Sequence, residues 1–132
     1  MEREFDPNQP IYLQIVQRIC SQILRGDYGP GNKLPSLVDA SLQFNVNHNT
    51  IARVYMEMAR QGIVEARRGE GTFVTEDRAV LETLHNSLRD SLLENFFTEM
   101  ERLGYLIEEI DAAFQEYIRR KSKPELSKEN RP

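Results

Sequence analysis

The chain has 132 residues, with 17 Lys and Arg against 21 Asp and Glu, a formal net charge of −4, 39% apolar residues, one cysteine and no tryptophan. That length holds one ordinary domain or two small ones and leaves no room for a large ligand-binding domain beside a second module. The composition argues against a disordered or collagen-like chain, one thiol cannot form an internal disulfide, no apolar run reaches the roughly 18 residues of a membrane span, and the acidic balance taken whole argues against a nucleic-acid partner.

The first ten residues, MEREFDPNQP, lack the basic-then-apolar layout of a secretory signal, so the cytoplasm is the expected compartment. Ile11, Ile15, Ile19 and Ile23 recur every four residues with Val16, Cys20 and Leu24 beside them, which predicts an amphipathic helix over 10–25 with Pro10 in its first turn. Gly26-Asp27-Tyr28-Gly29-Pro30-Gly31 does not propagate a helix and is read as a loop. A short helix is expected over 35–44, with Leu37, Ala40 and Leu42 as its apolar contacts, broken by Asn45-Val46-Asn47. A second follows from His48 or Asn49 to Arg60, with Ile51, Val54, Tyr55 and Met58 on one face and Gly62 as its C-cap.

Beyond Gly62 the period changes. Residues 63–67 and 72–75 are β-prone runs separated by Arg68-Gly69-Glu70-Gly71, the pattern of a hairpin with a glycine-rich tip. The helical period returns near Asp77, where Leu81, Leu84, Leu88, Leu92, Phe96, Met100 and Leu103 form a stripe that Gly104 ends. A last helix is predicted over 106–121, carrying Ile107, Ile110, Phe114, Tyr117 and Ile118, followed by a polar, disordered tail over 122–132.

A supporting helix, two helices joined by a tight turn and a glycine-tipped hairpin make the order of a winged helix-turn-helix, in which the second helix of the pair enters a major groove and the hairpin reaches the backbone or the minor groove. The particular residues narrow this. Pro10-Ile11-Tyr12-Leu13-Gln14-Ile15, the segment Gly26 to Ser36, Val46-Asn47-His48-Asn49-Thr50-Ile51 and Gly69-Glu70-Gly71-Thr72-Phe73-Val74 stand in the order and spacing of the GntR family of bacterial transcription regulators. Over about 10–75 the chain resembles that family, and its short two-helix remainder resembles the YtrA-like subfamily, whose C-terminal part is a dimerisation arm.

The resemblance implies a mainly α fold with a small β-hairpin: a winged helix-turn-helix DNA-binding domain over 1–76, a helical dimerisation domain over 77–121 and the tail. It places Ser36 at the start of the first helix of the pair, facing a phosphate. Asn47, His48, Asn49 and Thr50 fall at the N-terminal end of the recognition helix, Arg53 one turn along, and Arg67, Arg68, Gly69 and Gly71 in the wing. The chain departs from the family pattern at Val38, where an arginine is common, at Ala52, often Arg, Lys or Gln, and at the wing-tip Glu70. Each absent arginine removes a counterion-release contact or a guanine contact of about 1–3 kcal/mol.

Blander readings stand beside these. Asn47, Asn49 and Thr50 also suit a turn and an N-cap, His48 a solvated helix start, Arg60 a solvated face, and strand alternation can turn Arg67 away from a groove. Arg53 and Arg68 are the favoured DNA ligands. Cys20 lies on the apolar face of the first helix and reads as a buried structural thiol. His48 and His85, the only histidines, have no metal-ligand spacing, so neither metal nor cofactor is expected, and no catalytic motif is present.

Two C-terminal helices cannot sheathe each other's apolar faces, so Leu81, Leu84, Leu88, Leu92, Phe96, Met100, Leu103, Ile110, Phe114 and Tyr117 are assigned to a homodimer that sets two winged domains on an inverted repeat of double-stranded DNA. The charge agrees with this division. Residues 1–78 carry nine basic and ten acidic side chains and residues 79–132 eight and eleven, while 33–69 holds five basic and three acidic. The expected function is a sequence-specific, homodimeric repressor using helix 48–60 and wing 67–72. The alternative is a winged-helix protein-interaction module with lost or weak DNA affinity. Nothing in the residues identifies a small-molecule effector.

Overall fold

A computed structural model describes residues 5–129, with side chains through Ser122. In chain order the elements are α1 (Ile11–Arg25), α2 (Leu37–Phe44), α3 (His48–Arg60), β1 (Val64–Arg67), β2 (Gly71–Val74), α4 (Arg78–Arg102) and α5 (Ile107–Glu129). No helix among the described residues is long and apolar enough to cross a membrane.

The four-residue isoleucine repeat explains α1. Ile15, Ile19 and Ile23 are buried together with Val16 and Cys20, while Ile11 at the open end is exposed. Pro10 is the N-cap, where its missing N–H is no loss. Gln14 ties the preceding segment to α1: the Asp6 N–H donates to Gln14 Oε1 at 2.8 Å, and Gln14 Nε2 donates to the carbonyls of Asp6 at 2.8 Å and Gln9 at 3.0 Å.

α3 packs on α1, α2 and β1. Its buried residues Ile51, Val54, Tyr55 and Met58 follow the period of an amphipathic helix, and Ile51, Val54 and Met58 have no exposed surface. Gln61 is the C-cap. Gly62 follows it, its N–H reaching the Ala59 carbonyl at 3.0 Å, and the Ile63 N–H reaches that of Met58 at 3.0 Å, the paired closing bonds of a Schellman end. β1 and β2 then pair antiparallel, Val64 opposite Val74 and Arg67 opposite Gly71.

The loop before α2 adds a third edge to this sheet. Gly31 N–H donates to the Val74 carbonyl at 2.9 Å, Val74 N–H to that of Asn32 at 2.8 Å and Leu34 N–H to that of Thr72 at 2.8 Å, with Lys33 bridging Phe73. The sequence reading treats this stretch as a plain loop because glycine and proline interrupt any alternation. Its pairing delivers buried Leu34 to the core and fixes the entry to α2.

Two compact units divide within α4, residues 1–86 and 87–132. Asp77 starts α4, its side chain accepting from the Ala79 N–H at 3.0 Å. Leu81 and Leu84, half-buried, fall in the first unit, although the sequence reading places the domain boundary at 76/77. In the second unit Phe96 meets Phe97 edge-on at 5.8 Å and Phe114 at 5.9 Å, and Ile110 is 1% exposed. Ile110 is thus interior to one chain, which corrects its assignment to an intersubunit surface: an inward-facing helix position looks the same in sequence whichever chain covers it. α5 opens with half of a capping box, Glu109 Oε1 accepting from the Leu106 N–H at 2.8 Å.

The expected end of the last helix is also corrected. α5 continues to Glu129, past Lys121 and through most of the stretch assigned to a disordered tail; 130–132 lie outside the described residues. Low hydrophobicity there does not argue against helix, since Lys, Glu and Leu are good helix formers, and the helix runs on through Pro124 despite the backbone donor that proline lacks.

Candidate nucleic-acid interface

Ser36 caps α2, its Oγ accepting from the Asp39 N–H at 3.1 Å, and remains exposed. The turn to α3 is made by Asn45 at φ 56°, a left-handed position that asparagine tolerates better than most residues, with the Val46 N–H returning to the Ser41 carbonyl at 3.0 Å. Asn47 caps α3, its Oδ1 accepting from the Asn49 N–H at 2.7 Å. The cap uses the carbonyl side of the Asn47 amide and leaves its NH2 to donate. His48 and Asn49 are exposed and Thr50 half-buried, so capping and outward presentation coexist at this end of α3.

Two flanks of α3 can be distinguished. His48, Ala52 and Met56 recur every four residues beside Asn49, and Met56 is 71% exposed. On the other flank the Arg53 guanidinium lies over the Tyr12 ring of α1, 3.8 Å from its centroid. The ring covers one face of the guanidinium and leaves its in-plane N–H groups free. Arg60 binds Glu57 through Nε and Nη2, at 3.0 and 2.5 Å, and together with Gln61 holds the Glu57 carboxyl down to about 2.

Tyr55 links the two helices of the pair. Its hydroxyl donates to the Pro35 carbonyl at 2.7 Å, and burial, followed by the nearby Tyr28, raises its pKa well above the ordinary value. The entry to α2 is thereby fixed from the buried side of α3.

The wing tip is a three-residue turn, Arg68-Gly69-Glu70, closed by the Glu70 N–H to the Arg67 carbonyl at 2.9 Å. Arg67 turns back over Phe73 at 4.1 Å and comes within 3.8 Å of Glu65, as strand alternation allows, whereas Arg68 is exposed. Gly71 has φ 124°, and a Cβ built there would lie 2.7 Å from Lys33 Cε: the lysine stem crosses the wing where only glycine leaves room. A cleft of about 430 Å³ opens here, with Lys33, Ser36, Tyr55, Arg67, Gly69 and Glu70 in its lining. Neither Lys33 nor Arg68 is drawn into an ion pair with another described residue.

The winged unit thus brings the capped end of α2, Tyr55 of α3 and the hairpin around one cleft. Lys33, Tyr12 and Met56 are the residues that sequence reasoning does not single out. The position of Lys33, three before Ser36 in a matched segment, is the signal that points to it. Val38 is 61% exposed, so an apolar side chain occupies the surface where the family commonly has an arginine.

The class defined by this fold and surface is a winged helix-turn-helix DNA-binding protein. A family model described as "Bacterial regulatory proteins, gntR family" matches residues 11–74. The uncharacterized HTH-type transcriptional regulator YhcF of Bacillus subtilis is 44% identical over 110 residues, covering 83% of this chain and 91% of that protein. The HTH-type transcriptional repressor YtrA of the same organism is 32% identical over 119 residues, covering 83% and 92%. A solved GntR family transcriptional regulator from Listeria monocytogenes superposes with a TM-score of 0.78 at 39% identity, over 85% of this chain and 98% of that one. The DNA-binding domain of AraR, crystallised in complex with operator ORR3, matches 55% of this chain and 84% of its own at 33% identity and a TM-score of 0.50. The chain belongs to the GntR family, in its YtrA-like branch, and is a DNA-binding transcription regulator.

Proposed function

We propose that the chain is a cytoplasmic, homodimeric repressor that blocks transcription by occupying an inverted-repeat operator, with α3 in the major groove and the wing over adjacent backbone. The observation that carries this reading is the exposed N-terminal end of α3, which presents Asn47, His48 and Asn49, together with the wing cleft that Lys33 and Ser36 line. Asn47 and Asn49 supply amides suited to adenine, and Ser36, Lys33 and Arg68 supply phosphate contacts. Gly69 and Gly71 let the wing backbone approach the duplex. Arg67 acts from the base of the wing and Arg53 through its free N–H edge, while Thr50 completes the helix start. That the related YtrA is a repressor favours repression over activation.

Dimerisation is supported by the second unit, where Leu92 (70%), Leu103 (74%) and Tyr117 (54%) are exposed. With Leu88, Phe96, Met100 and Phe114 they offer an apolar surface that a second copy covers, and Leu81 and Leu84, in the first unit, are assigned to the dimer from the sequence stripe alone. Two coupled winged units raise the avidity of a weak half-site by about 10²–10⁴.

The test is mobility shift with promoter fragments, combined with light scattering. A regulator retards at least one fragment in preference to random DNA at moderate salt, binds that fragment more weakly on Arg68→Ala while keeping its fold, and has the mass of two chains at micromolar concentration. Failure of every fragment to compete better than random DNA sinks the operator reading, and a monomer mass sinks the dimer.

A further inference from the structure

Of the two cations of α3, Arg60 is held by Glu57, and Arg53, stacked on Tyr12, keeps its N–H edge on the other flank. In the major groove Arg and Lys are the commonest readers of guanine, so the flank carrying His48, Ala52 and Met56 has no cation for that role. That flank is apolar beyond its first turn. Ala52 and Met56 follow His48 at four-residue spacing, with Asn49 alongside, and Met56 is 71% exposed although an unbranched thioether of this length is usually interior. From Asn49 to Met56 the helix rises about 10 Å, roughly the rise of three base pairs. A thymine offers such side chains its C5-methyl, the one apolar group on a base edge in that groove.

We infer that Ala52 and Met56 are specificity-determining residues that read thymine methyl groups at two positions of the operator half-site, next to an adenine contacted by Asn49. This deepens the proposal that α3 lies in the major groove and depends on it. The surface is continuous with the polar end of α3, which is why DNA and not a protein partner is its occupant.

The experiment uses the full-length protein and a duplex selected by it from a random pool, then the same duplex with deoxyuridine replacing thymine at each position in turn. Deoxyuridine keeps the pairing edge and removes only the methyl. Wild type is expected to bind about three- to five-fold more weakly at two positions of each half-site, the effect of one buried methyl group, and equally well elsewhere. Met56→Ala is expected to lose the discrimination at one of the two positions and keep it at the other, with an unchanged melting temperature. Met56→Leu, which retains an apolar side chain, is expected to keep both, and Met56→Gln to select a different base there. Equal affinity for thymine and deoxyuridine at every position overturns the inference while leaving operator binding intact. So does a Met56→Ala protein that weakens both duplexes in the same ratio. If wild type selects no sequence at all, the operator reading itself has failed.

Discussion

The Lys33–Gly71 crossing lends itself to a direct test. Alanine at Gly71 meets two problems at once, a φ of 124° and a Cβ 2.7 Å from Lys33 Cε, whereas alanine at Gly69 meets a φ of 75° with nothing within 4 Å. The backbone strain at Gly69 is about 1–2 kcal/mol, that of a left-handed alanine, which lowers the melting temperature of a domain of 60–100 residues by about 4–16 °C; at Gly71, whose φ lies outside the left-handed well, it is larger. The steric term separates them, because the atom displaced at Gly71 belongs to a flexible stem and moves with its ammonium. If that ammonium contacts a phosphate, its loss flattens the dependence of log affinity on log salt by about 0.9 per half-site, or about 1.8 for a dimer on its operator, so that wild type loses about 12-fold more affinity than the variant between 50 and 200 mM salt. Mobility shifts across that range should therefore group Gly71→Ala with Lys33→Ala, and Gly69→Ala with wild type, after both glycine variants are shown to be folded by circular dichroism. A wild-type salt slope in Gly71→Ala and Lys33→Ala, or an equal flattening in Gly69→Ala, refutes the reasoning.

Tyr55→Phe leaves the Pro35 carbonyl without its partner and should cost about 1–2 kcal/mol in urea unfolding with an unchanged m-value. Burial pushes the Cys20 thiol up to about 11 from its ordinary 9.0, so the native protein should react slowly with a thiol reagent at pH 8 and quickly once unfolded. Because the folded value is the raised one, the stability gained by keeping that thiol neutral is complete below pH 9 and is lost as pH rises through about 11; alkaline stability curves of wild type and Cys20→Ala should converge over that interval. Phe114→Asp, at a side chain 43% exposed in one chain, should halve the mass in light scattering and weaken operator binding by one or more orders of magnitude; a stable dimer of that variant rejects the assigned surface.

Elements whose apolar period is set by their own packing could be read from residues alone. The isoleucine repeat of α1, the Ile51, Val54, Tyr55 and Met58 face of α3 and the glycine-tipped hairpin all stand where they were expected. Interactions between distant segments could not be read. The 31–34 edge pairs through backbone groups, which leave no side-chain signature, and the Arg53–Tyr12 stack joins residues whose separate neighbourhoods say nothing of each other. At Asn47 the two competing readings, cap and DNA contact, are compatible, because the cap occupies an oxygen lone pair and leaves the NH2 outward. Arg53 was legible as a surface cation but not as one held by an aromatic ring.

That stack makes the placement of the Arg53 guanidinium on α3 a joint property of two segments about forty residues apart. Grafting the outward residues of α3 from a relative onto this chain should transfer its binding preference only if the residue at position 12 suits the one at position 53. A donor with a different pair at those positions places the residue 53 side chain differently, while the buried face of α3 keeps the helix where it is. A change on the side of α1 then becomes a route by which related regulators can drift apart.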